Sequence, residues 1–183
     1  MIKKSEKFFL STILRDLILE VGDMSNQIPY DIKTPSKSKA EFFTDSGKKV
    51  SIEIQQIDQE MFERAVDIDT VPDIFFDSYN LTKKNKDIFN LTFDVNRSET
   101  QGAKTDLRGY FKIMKTVLDY VNDFVDENRP FAIIILADEK SDQNIKKQYY
   151  GEILKKNINA EYRLLDNIES NFGNDGFIIM RIR

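Results

Sequence analysis

The chain of 183 residues has no cysteine and no histidine, and only seven glycines and four prolines. Without cysteine there are neither disulfides nor thiolate metal sites, so packing alone must hold the fold. Without histidine the usual neutral-pH base is absent, and so are Ser-His and Cys-His nucleophiles and the commonest zinc ligand. Most hydrolase mechanisms are excluded with them. Long apolar runs are also lacking: nothing approaches the roughly 20 residues that a membrane-spanning helix needs. The basic start, Met1 to Lys7, leads into an apolar stretch interrupted by Arg15, Asp16 and Glu20, with no small-residue cleavage site. The expectation is a protein neither exported nor embedded in a membrane.

A strong charge of either sign is missing as well. The 27 basic and 31 acidic residues leave a formal charge of -4, which does not favour nucleic acid as a partner. Lys146, Lys147, Lys155 and Lys156 share one segment and read as a solvated helix face. What is present is 40% hydrophobic residues with 11% aromatics, enough for one proper core. A single domain over 1–183 is expected, with residues 1–25 as an N-terminal helix, 26–87 as antiparallel strands and 88–183 as a β-α-β-α-β-β core.

The periodicity supports that order. Leu10, Ile13, Leu14, Leu17, Ile18 and Val21 recur on one side of a helical period over residues 8–21, with Gly22 at its end. This stripe must dock on something, and Leu10, Leu14, Leu17, Ile18 and Val21 are the candidate partner-docking residues. From Tyr30 to Ile57 the period changes to two, with Phe43 before the turn Asp45-Ser46-Gly47-Lys48 and Val50, Ile52 and Ile54 after it, as in a β-hairpin. Gln55-Gln56 breaks the alternation as a bulge would. Residues 58–87 carry Asp58, Glu60, Glu63, Asp67, Asp69, Asp73 and Asp77, but neither the ligand spacing nor the central glycine of a calcium-binding EF-hand loop. They are expected to be ordinary surface acids.

Phe89, Leu91, Phe93 and Val95 then alternate with polar residues as a half-buried strand. After Thr105 or Asp106 as cap, a long helix runs through Leu107, Phe111, Met114, Val117, Leu118, Val121, Phe124 and Val125 and stops before Pro130. Phe131 to Leu136 is a continuous apolar run of the kind covered on both faces. A Ser141-capped helix through Ile145, Tyr149, Ile153 and Leu154 follows, then strands over 160–165 and 176–182. The fold class is therefore α+β.

A β-α-β-α-β-β run after a helix and antiparallel strands resembles the second half of the Gcn5-related N-acetyltransferase fold. In that family the loop after the fourth strand cradles the coenzyme A pyrophosphate on backbone amides at a helix start. Here that loop contains Gln101-Gly102-Ala103, so the resemblance makes Gly102 and Ala103 the coenzyme-binding residues and Tyr149 the acid that protonates the leaving thiolate. Its spacing also puts Tyr149 on the apolar face of its helix, and core packing is the reading that this periodicity favours over catalysis.

The chain also resembles a family of short, tailed-phage α+β proteins. Its shared marks are the strand from Phe89 to Val95, Gly102, Phe111 with Val117, the Pro130-led strand ending at Ala137-Asp138, and Tyr149-Tyr150. Lys146 and Lys147 stand where that family often has an arginine. This resemblance implies a non-enzymatic, cofactor-free phage protein. It would be a virion or assembly component of the head-tail or tail region, found in the host cytoplasm or the particle, in contact with other phage proteins or with copies of itself. A further possibility is an inhibitor of a host defence enzyme, whose acids from Asp58 to Asp77 occupy a basic cleft.

Overall fold

The computed structural model describes residues 28–82, 86–95, 107–136, 151–172 and 175–182. The expected helix over 8–21 and the Ser141 cap lie outside these residues. The strands are β1 (Lys33–Ser36), β2 (Lys39–Phe43), β3 (Lys49–Ile57), β4 (Ile88–Val95), β5 (Ala132–Leu136), β6 (Tyr162–Glu169) and β7 (Asp175–Arg181). The helices are α1 (Gln59–Ala65), a short 3-10 turn (Ile68–Thr70), α2 (Asp73–Leu81), α3 (Leu107–Asn128) and α4, the helical residues 151–157. This is the expected α+β class.

All seven strands join one sheet in the order β1-β2-β3-β4-β5-β7-β6. On one face, Ala40, Phe42, Val50, Ile52, Ile54, Leu91, Ile133 and Ile179 pack beneath α3 and α4. The stripe Phe111, Met114, Val117, Leu118, Val121, Phe124 and Val125 supplies the α3 side, as its periodicity dictates. Arg129 adopts a left-handed φ of 48°, its N–H returns 2.8 Å to the Val125 carbonyl, and Pro130 follows, so the helix stops where the sequence says.

The second face is divided. Over β5, β7 and β6, the side chains of Ile134, Leu165, Ile168, Ile178 and Met180 lie under Phe62, Val66, Val71 and Phe75 of the α1–α2 segment. Over β2 and β3 it is polar, with Lys39–Glu53 at 3.0 Å and Lys49–Glu41 at 2.7 Å on the surface. That division explains why β2 to β4 alternate while β5 and β7 read as continuous apolar runs.

Two expectations are corrected. Residues 58–81 are not antiparallel strands: Asp58 caps α1 by accepting the Met61 N–H at 2.8 Å, and Asp67 caps the 3-10 turn by accepting from Asp69. Gln55-Gln56 is not a bulge either, because the β3–β4 register runs unbroken from Val50↔Val95 to Ile57↔Ile88. The alternation breaks because Ile54 serves the core under α3 whereas Ile57 serves the core under α1 and α2. The register shift that does exist in the C-terminal sheet is in β6, between Leu165 and Ile168, where Asn167 takes a φ of 62°. It keeps Leu165 and Ile168 on the same face, and β6 continues past the expected end at 165 to Glu169.

Candidate functional site

Among the described strands, β4 and β5 form the parallel pair; every other pairing is antiparallel. Because these two strands run the same way, their carboxyl ends lie together at one end of the sheet. Here the two strands also differ in length. Pairing runs from Ile88↔Ala132 to Leu91↔Ile135 and stops, whereas β4 continues beside β3 as far as Val95. Along Thr92 to Val95, the β5 side of β4 has no strand neighbour among the described residues. Among the described residues, this leaves a notch at the end of the sheet.

The two faces of the notch differ chemically. Phe93 and Ile135 are half-buried against the core beneath α3 and α4. Phe177, paired with Ile135, continues this apolar side, and a Cβ placed on Gly151 would stand 3.5 Å from its ring, which brings the described start of α4 over the ends of β5 and β7. On the opposite face Asn90 is half-buried, Thr92 and Asp94 are exposed, and Leu136 closes onto the second core.

Tyr30, Asp45 and Lys112 lie at this same end of the sheet, since the β2–β3 turn precedes Val50, which pairs with Val95. The Tyr30 hydroxyl meets Asp45 Oδ2 at 3.2 Å, and Lys112 Nζ stands 4.0 Å over the Tyr30 ring and 3.3 Å from Asp45. Burial pushes the Tyr30 and Tyr120 hydroxyls up from their ordinary value. Tyr162, pushed up to about 12 by burial, stands at the other end, donating 2.8 Å to the Pro130 carbonyl ahead of β5. Its shift marks a buried structural hydroxyl, not a proton donor at the notch.

The candidate residues Gly102, Ala103 and Tyr149 lie outside the described residues, as do Leu10, Leu14, Leu17, Ile18 and Val21. Gly102 and Ala103 belong to the connection between Val95 and Leu107, and Tyr149 stands two residues before Gly151. Sequence reasoning missed Thr92, Phe93 and Leu136. Among the described residues no group of acids is placed to hold a metal ion, and no helix is long and apolar enough to cross a membrane.

Comparison with known proteins finds no matching family model, no matching curated protein and no matching solved structure.

Proposed function

We propose that the chain is an acetyltransferase-like domain that binds coenzyme A or an acyl-coenzyme A at the β4–β5 notch. The observation that carries this reading is the extension of β4, among the described residues, beyond the last β4–β5 pair at Leu91↔Ile135, followed in sequence by the connection into α3. Main-chain groups of Thr92 to Val95, which have no strand neighbour on the β5 side among the described residues, would suit the amides of a pantetheine arm, and Phe93 and Ile135 its apolar carbons. Gly102 and Ala103 are the proposed pyrophosphate-binding residues. Binding is proposed without catalysis: Tyr149 is the acid only if transfer occurs, and the chain has no histidine to serve as base.

Thermal melting tests the reading. A ligand that binds only the folded state, present at about 100 times its Kd, adds roughly 2.7 kcal/mol, which is about 5–10 °C for a chain of this size. No rise in Tm with coenzyme A or acetyl-coenzyme A at millimolar concentration contradicts it.

A second reading is a phage virion or assembly component working through protein contacts. It rests on the sequence resemblance to short tailed-phage α+β proteins. Its test is the stoichiometric presence of the chain in purified particles.

A further inference from the structure

We infer that residues 28–36 form a strap that lifts from the sheet as a unit, held among the described residues mainly by one peg, Tyr30, with Ile32 half-buried against the core. Between residues 28 and 39, Tyr30 alone is buried. All four residues of β1 are exposed, its register with β2 shifts between Lys33↔Glu41 and Ser36↔Lys39, and Pro35 offers no N–H to the ladder. Apart from Tyr30 and the half-buried Ile32, the described residues of this segment have little apolar contact to hold them, which is the description of a unit that opens locally.

The peg, by contrast, is held on every side. Its ring stacks on Phe42 at 5.3 Å, its N–H donates 2.9 Å to the buried Thr116 hydroxyl, and its own hydroxyl reaches Asp45. Lys112 covers the ring from outside. The strap ends at a firm hinge, where the Lys37 carbonyl accepts from the Tyr120 hydroxyl at 3.1 Å and the Ser38 carbonyl accepts from the Ile54 N–H at 2.8 Å. Lifting the strap therefore breaks contacts at Tyr30 and β1 while the body beyond Lys37 stays folded. It uncovers the outer edge of β2 together with the Phe42 ring, so the strap acts as a reversible cover on a strand edge.

Hydrogen exchange followed by mass spectrometry tests this on the full chain, comparing native protein with Tyr30→Ala and Asp45→Asn. In the native chain, amides of residues 31–36 should exchange at least tenfold faster than those of 50–57 and 113–125. Tyr30→Ala should raise exchange of 31–36 a further tenfold or more and leave the other two segments within twofold. Asp45→Asn, which keeps the ring, should produce a smaller rise confined to the same segment. The inference is overturned if residues 31–36 are protected as strongly as 50–57, or if Tyr30→Ala accelerates all three segments together or leaves the chain unfolded.

Discussion

The Leu136 side chain closes directly over Gly176 at the start of β7: a Cβ on Gly176 would stand 2.6 Å from Leu136 Cδ2 and 3.1 Å from the Ile135 carbonyl oxygen. The last described residues of β5 thus lie so close to β7 that a side chain at Gly176 would have to displace them. Gly176→Ala is expected to destabilise the chain by about 1–3 kcal/mol in urea unfolding, because Leu136 and the Ile135 backbone must both shift. Leu136→Ala in the same chain should relieve part of that cost, giving non-additive effects in a double-mutant cycle. Additive losses would mean that the contact is not the source of the strain.

Tyr162 and the Pro130 carbonyl predict an alkaline transition. Burial raises the folded pKa to about 12 against an opposing pull from Arg181 and Arg129, whereas an unfolded tyrosine titrates near 10. The neutral hydroxyl is therefore favoured by folding. Its contribution is complete below pH ~10 and lost as pH rises through about 12. Tyr162→Phe should cost about 1–3 kcal/mol at neutral pH by leaving the Pro130 carbonyl without its donor. Its Tm should then fall less than that of the native chain between pH 9 and 11.

Much of this architecture was legible in the residues, and the misses have physical causes. The alternation from Phe89 to Val95 and the apolar stripe of α3 were plain because each serves one core at one period. The segment from Asp58 to Leu81 was not, because α1 is 7 residues and α2 is 9, too short for a clear helical repeat, and each buries essentially one phenylalanine, Phe62 and Phe75. Asp58 and Asp67 were visible only as acids, although the structure uses them as caps. Gln55-Gln56 misled because a strand that changes cores mimics a bulge in its pattern. For the site, the strands themselves were readable but the register between β4 and β5 was not, and Gly102, Ala103 and Tyr149 lie outside the described residues.

Phe75 holds the α1–α2 layer to the sheet. It stacks on Phe62 at 5.2 Å and meets Phe131 edge-on at 5.3 Å, with Tyr79 and Phe76 completing the cluster. Phe75→Ala should cost about 3–5 kcal/mol, measured by urea unfolding. Phe76→Ala, at a half-buried position on the same helix, should cost clearly less. Equal losses would place the anchor elsewhere.

The most direct test of the central claim is a titration of isotope-labelled protein with coenzyme A, followed by amide chemical shifts. The account predicts saturable shifts concentrated at Thr92 to Val95, Ile135 and Leu136, with little change at Tyr162 or Phe172. Saturable shifts confined to other parts of the sheet, or none at millimolar ligand, would contradict binding at the β4–β5 notch.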